Sequence, residues 1–318
     1  MPARALAGLA FLIGTLTAAS PARAYVRART DDTYIPLFWS DPRKVLQLAQ
    51  PPVGIGITAA DMRGAAQAAV ASWSHSSIAC TGVALSLARE TTEDQTAGFD
   101  GINRIIMRTG AWCRDPVAMT HCHDPSVLAL TTIFSRSRPG AADDGEMMEA
   151  DIEVNAVDGM QWGIVPTGSF SARDYANTYD LPSVLTHETG HFIGLAHNCL
   201  VPNAPLLVDD RGVAIPSCSA IPSTEESLIA DATMYPFMDT ADIKLRSLTP
   251  DDARAACEMY PTWSVPDDVW IGAGGCSQAP VPPSHRARQL ALALGLLLGC
   301  AAIWRRGSAR RVHSPRPW

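Results

Sequence analysis

No apolar run in the 318 residues reaches the roughly 18 consecutive residues that a membrane-spanning helix needs. The two longest stand at the ends, over 5–19 and 290–304, so a multi-pass membrane protein is excluded. Charge is also sparse, at 18 % of residues against 47 % apolar, with mean hydropathy +0.04. A disordered chain would show the opposite balance. Acids are missing from both ends. Residues 1–24 carry only Arg4 and Arg23, residues 277–318 carry seven arginines, and all 32 acidic residues lie between. With nine of the 25 lysines and arginines at the ends, the middle has a net charge of −16, although the whole chain is only −7. So acidic a body does not suit a phosphate backbone, which excludes nucleic acid as a partner. There is no C-x-x-C pair, which argues against a cysteine-built zinc cluster, and no internal repeat.

The two ends read as targeting segments. Arg4, the apolar run 5–19 and the small-x-small site Ala22-Arg23-Ala24 follow the order of a secretory signal peptide, cleaved after Ala24. Residues 264–289 form a Pro/Gly-rich linker with the cluster Gly274-Gly275-Cys276 and Pro280, Pro282 and Pro283. An apolar helix over 290–304 and a basic end over 305–318 complete the tail. Fifteen helical residues span roughly 22 Å, short of a ~30 Å hydrocarbon core. The layout resembles the C-terminal sorting tails of myxobacterial surface proteins, which implies that Cys276 is the processing or lipidation residue. A plain membrane anchor is the alternative. The expected location is therefore extracellular or at the cell surface, with membrane association only through the tail.

Six cysteines remain in the body: Cys80, Cys113, Cys122, Cys199, Cys218 and Cys257. An even number in an exported chain suggests disulfides, with many connectivities open. Proximity along the chain pairs Cys113 with Cys122 and Cys199 with Cys218, leaving Cys80 with Cys257.

Periodicity places the elements. An apolar patch over 36–39 starts the folded part, and 45–48 reads as a strand. Thr58 and Asp61 form a capping-box pair that opens a helix running to about Trp73, with Met62, Ala66, Ala69 and Val70 on one face. Strands follow over 83–87, 103–107 and 127–134. Over 151–155 the alternation is strict, with Ile152 and Val154 on one face and Asp151, Glu153 and Asn155 on the other, so a half-exposed strand is expected. Asp180 is an N-cap with Pro182 in the first turn, opening a helix that Gly194 ends. A long irregular stretch carries Pro202, Pro205, Pro216 and Pro222. Thr249-Pro250-Asp251-Asp252 then starts a last helix that stops before Pro261.

The chemistry is concentrated in one segment, His187-Glu188-Thr189-Gly190-His191-Phe192-Ile193-Gly194-Leu195-Ala196-His197. On a helix His187 and His191 stand one turn apart and share a face. Gly194 allows a sharp turn that swings His197 back as a third ligand. Three imidazoles leave one position open on a tetrahedral zinc, with Glu188 beside it as general base. By chance, H-E-x-x-H arises in roughly 6 of 1000 chains of this composition, and with Gly194 and His197 in about one in 100,000.

The pattern resembles the metzincin metalloproteases, and within them the matrixins. The resemblance covers about residues 25–261. It rests on Pro36-Leu37-Phe38-Trp39, the Trp73 helix, Asp151-Ile152, the Asp180-Leu181 lead-in, Met234-Tyr235-Pro236 and the closing helix from Leu248-Thr249 to Tyr260. It implies an α/β fold for a catalytic domain over 25–263: a twisted, mainly parallel five-stranded sheet, a zinc-binding active-site helix and a small C-terminal subdomain. It also implies one catalytic Zn²⁺ on His187, His191 and His197, Glu188 as catalytic base, Met234 in a methionine turn beneath the metal, and Pro236 in the wall of the S1′ pocket. Several features depart from the family. Asn198 stands where a Ser is usual, Met238 where the wall has a Tyr, the 199–218 loop is long, and no cysteine-switch propeptide follows Ala24. His121 and His123 do not fit the family's structural-zinc pattern and read as surface residues. Asp143, Asp144, Glu146 and Glu149 are candidate Ca²⁺ ligands, but they lack EF-hand spacing and read equally well as a solvated acidic loop.

The expected function is a secreted or surface-exposed zinc endopeptidase that acts on protein or peptide substrates as a monomer. Substrate would lie extended along the strand over 127–134. Two rivals stand beside it: a non-catalytic zinc-binding adhesion module on the same scaffold, and a structural-zinc protein with Asn198 or a remote residue as fourth ligand.

Overall fold

The computed structural model describes residues 25–262, apart from 116–118, 158, 169–170, 203, 205 and 210. The expected signal peptide, linker, Cys276 and tail lie outside the described residues. Among the described residues no helix is long and apolar enough to cross a membrane.

In chain order the elements are β1 (Val26–Arg27), β2 (Arg43–Ala49), α1 (Ala59–Ser72), β3 (Ala84–Thr92), β4 (Asn103–Arg108), β5 (Cys113–Asp115), β6 (Thr120–Cys122), β7 (Ala129–Ser135), β8 (Met147–Asn155), β9 (Trp162–Gly163), β10 (Tyr179–Asp180), α2 (Leu181–Phe192), β11 (Leu195–Ala196), α3 (Glu226–Ala230) and α4 (Pro250–Met259). The central sheet has five strands in the order β3-β2-β4-β8-β7. Pairing is parallel except between β7 and β8, so β7 is an antiparallel edge strand. The fold is therefore mixed α/β with few helices.

Both capping boxes form. The Thr58 hydroxyl accepts from the Asp61 amide at 3.1 Å, and α1 buries Met62, Ala65, Ala66, Ala69 and Val70. Thr249 and Asp252 do the same for α4. Each helix thus satisfies amides that its first turn would otherwise leave unpaired. The three disulfides join Cys80 to Cys257, Cys113 to Cys122 and Cys199 to Cys218, as chain proximity suggested. The first ties the segment after α1 to α4, closing a loop of 177 residues.

Several expectations need correction. The fold starts before the 36–39 patch, because β1 pairs with β11 and buries Tyr25 and Val26. The strand over 151–155 is buried on both faces rather than half-exposed, with Asp151 at 0 %, Glu153 at 5 % and Asn155 at 1 % exposure. Its polar face is covered by the 94–104 segment: Asp151 accepts from the Gly98 and Arg104 amides at 2.9 and 2.8 Å, and Glu153 pairs with Arg108. Burial outweighs these bonds and pushes the Asp151 pKa up to about 7. The short helix α3 inside the irregular stretch was not expected. All twelve residues of α2 are buried.

Close approach of backbones explains how α2 can be so enclosed. At Gly190 a Cβ would lie 2.9 Å from Trp73 and closer still to Met234 Sδ, so only glycine admits both side chains. The Trp73 indole donates to the Thr186 carbonyl, and the Trp39 indole to the Phe192 carbonyl, each at 2.8 Å. At the start of the helix, Asp180 accepts from the Ser183 amide and hydroxyl and from Arg246 Nε, at 3.0, 2.7 and 2.7 Å. Asp180 is fully buried, so it needs this cation. Asp180→Ala would strand Arg246 and remove the cap together, at a cost of about 3 kcal/mol or more. The expected result is a clear drop in thermal midpoint by calorimetry, with Asp180→Asn falling between the two.

Candidate metal centre

Helix α2 carries His187, Glu188 and His191 on consecutive turns of buried backbone. Gly194, at φ +97°, then reverses the chain, because a left-handed residue after a helix costs glycine little. Strand β11 follows, held by β1 through Val26 opposite Ala196 and Arg27 opposite Leu195. That pairing brings His197 back over the helix.

The three Nε2 atoms converge. They lie 3.1 Å apart between His187 and His191 and 3.2 Å from each of these to His197. Ligands at roughly 2.05 Å around a tetrahedral centre would be about 3.3 Å apart, so the spacing fits a shared ion. Among the described residues this is the one group of three or more ligating side chains. The opposite ring nitrogens are engaged: His187 Nδ1 donates to the Thr233 carbonyl at 2.6 Å, and His191 Nδ1 to the Leu195 carbonyl at 2.8 Å. A donating Nδ1–H leaves the Nε2 lone pair free for a metal. Burial holds all three imidazoles below their ordinary pKa, His191 to about 3, so they are neutral at pH 7.

Glu188 is buried beside them. Its Oε2 accepts from the Thr131 hydroxyl of β7 at 2.7 Å. Desolvation raises its pKa to about 8, with the Thr131 bond pulling the other way. Thr131 was not anticipated from sequence. It is one of several β-branched residues in a strand, and nothing local distinguishes it. Thr131→Val keeps the shape and removes the bond. The expected result is unchanged metal content and a roughly tenfold lower kcat, read by metal analysis and steady-state kinetics on one preparation.

Met234 is buried against Gly190, and its carbonyl accepts from the Asn198 amide at 3.3 Å. Asp252 reaches beyond its capping box to accept from the Thr233 amide at 3.0 Å, and Thr233 is the residue that holds His187. This link between α4 and His187 also went unread in the sequence. The Asn198 side chain donates to the Ile229 carbonyl at 2.8 Å, so its amide nitrogen is engaged away from the histidines.

The site opens into a cleft of about 720 Å³. Val127, Leu128 and Ala129 line it from the β7 side, and Tyr235, Pro236 and Phe237 from the segment after Met234. Pro236 therefore stands in a cleft wall, with Met238 also lining the cleft. His121 is exposed, as expected, but His123 is a correction: it lines the cleft, its ring 5.2 Å from that of Trp112. The β5–β6 hairpin, closed by Cys113–Cys122, turns it inward. The four acids proposed for calcium do not gather. Asp143 pairs with Arg138 at 2.6 Å, Glu146 with Arg136 at 2.8 Å, Asp144 accepts from the Arg138 amide, and Glu149 from the Asp100 and Gly101 amides. Arginines and backbone amides take the place of an ion.

No protein-family model matches the chain, and no curated protein matches it. The functional reading therefore rests on the geometry of the site and the motif that builds it.

Proposed function

We propose that the chain is a zinc-dependent endopeptidase of the metzincin type with a matrixin-like layout. The observation that carries this reading is the convergence of three neutral imidazoles beside a buried, hydrogen-bonded glutamate in an open cleft. A ligand set of three nitrogens without carboxylate favours zinc over calcium or magnesium. His187, His191 and His197 would hold the ion through Nε2. The mainly parallel five-stranded sheet with its antiparallel edge strand, and Met234 packed against Gly190, agree with that layout.

When bound, zinc supplies Lewis acidity, making a water acidic near neutral pH and polarising a carbonyl oxygen. The protein's own residues do the rest. Glu188 accepts the proton of the attacking water at its carboxylate and passes it to the departing amine, so that hydroxyl ends on the acyl carbon and hydrogen on nitrogen. Thr131 keeps its Oε2 in place. The outer side of β7, an edge strand, offers main-chain groups to an extended peptide. Pro236 and Met238 stand where such a peptide's side chains would pack.

A structural-zinc role is disfavoured because, among the described residues, no fourth histidine, cysteine or carboxylate joins the three histidines, and a purely adhesive role by the hydrogen bond that holds Glu188. Three disulfides support export. The test is incubation of the purified chain with a proteome-derived peptide library, with chelator, and with zinc restored after chelation. Cleavage that chelator abolishes and zinc restores is expected. Absence of cleavage by the zinc-loaded protein would overturn the reading.

A further inference from the structure

The charged lining of the cleft has one sign. Apart from Glu188, its carboxylates are Asp124, on the segment leading into β7, and Asp239, on the segment after Met234. These are the two segments that frame the cleft. Among the described residues no lysine or arginine lines it. Neighbouring cations already have partners: Lys244 pairs with Asp242 at 3.6 Å and lies 5.1 Å from the ring of Tyr235, itself a lining residue, Arg246 is held by Asp180, and Arg108 by Glu153. His123 adds no positive charge, since burial and the guanidiniums of Arg114 and Arg108 hold its pKa below the ordinary imidazole value. Asp124 is exposed and accepts from the Ser126 amide and hydroxyl at 2.8 and 2.7 Å, which keeps its carboxylate ionised. Asp239 is exposed as well. Both residues thus line the space that a bound chain would fill, while the apolar wall residues carry no charge to answer a cation.

We propose that the cleft selects basic peptides, with lysine or arginine side chains on either side of the scissile bond pairing with Asp124 on one wall and Asp239 on the other. The proposal rests on the endopeptidase reading of the same site and narrows its substrate class. Each exposed pair contributes modestly, but two pairs along one extended peptide add, and the surrounding acidic body reinforces their sign.

The test uses the full chain and three fluorescein-labelled peptides of equal length, with lysine, alanine or glutamate flanking one central apolar pair. Binding is read first by anisotropy on chelator-treated protein, then cleavage of the same peptides after zinc is restored. The lysine peptide is expected to bind at least ~10-fold tighter than the glutamate peptide at low ionic strength, with the gap closing as salt rises. Asp124→Asn and Asp239→Asn should each narrow it by roughly threefold and leave the alanine peptide unaffected. Asparagine at 124 can still accept from Ser126, so the loop is retained. Equal binding of lysine and glutamate peptides would overturn the proposal. So would a preference that survives in the double variant, because it would then belong to the body's net charge and not to these two residues. Lysine-selective binding without cleavage supports the charge assignment while overturning the endopeptidase reading. Cleavage indifferent to charge does the reverse.

Discussion

Glu188→Gln is expected to keep about one zinc per chain and to lose at least ~10² in kcat, the low end for removal of a general base. Glutamine matches glutamate in size, and its amide oxygen can still accept from Thr131, so the packing around α2 is preserved. The proton-accepting carboxylate is lost. Glu188 is not one of the three converging ligands, so metal content should not change. Metal analysis and turnover on the same sample separate the two effects. Turnover near that of the parent would remove Glu188 from the mechanism, whatever the metal content.

His197→Ala should have an effect as large through a different route. It reduces three ligands to two, and the resulting loss of affinity should leave zinc substoichiometric after dialysis and abolish activity. The backbone that carries His197 is set by Gly194, by β1 against β11 and by the Asn198 amide on the Met234 carbonyl, none of which involves the imidazole. The metal-free variant should therefore melt near the metal-free parent, while the rise in thermal midpoint that zinc gives the parent disappears. Stoichiometric zinc in this variant would mean that another group supplies the third ligand. Acid should act on the parent in the same direction. All three imidazoles must be neutral to bind, so protons compete with the ion and zinc should be released as pH falls. Equilibrium dialysis across a pH series measures this.

The part of this site that was legible in the sequence is the part built by short-range rules. A helix places residues four apart on one face, so His187 and His191 follow from their spacing, and Gly194 marks the turn that returns His197. The N-caps at Thr58, Asp180 and Thr249 are also local, each reaching three residues along the chain. The short disulfides joined cysteines nine and 19 residues apart, and the third pair followed from them.

Alternation over 151–155 correctly indicated a strand but not its burial. Period-2 patterning tells which side chains share a face, and says nothing of what covers that face. Here the 94–104 segment supplies amides, and Arg108 a charge, so the acids turn inward. The same limit hid Thr131, Asp252 and His123. Thr131 meets Glu188 only when the sheet packs on α2, Asp252 meets Thr233 across a turn, and His123 is placed by the β5–β6 hairpin, while a hydroxyl, a capping carboxylate or a surface imidazole looks alike in sequence whichever neighbour it meets. Gly190 belongs to this group too, since the need for glycine arises from Trp73 and Met234 packing against one point of the helix. The sequence by itself determined the three-histidine group, the glutamate beside it and the helix that spaces them, because those depend on backbone geometry within a few residues. Only the tertiary structure decided what holds Glu188 and His187 in place and which charges line the cleft, because those depend on contacts between segments far apart in the chain.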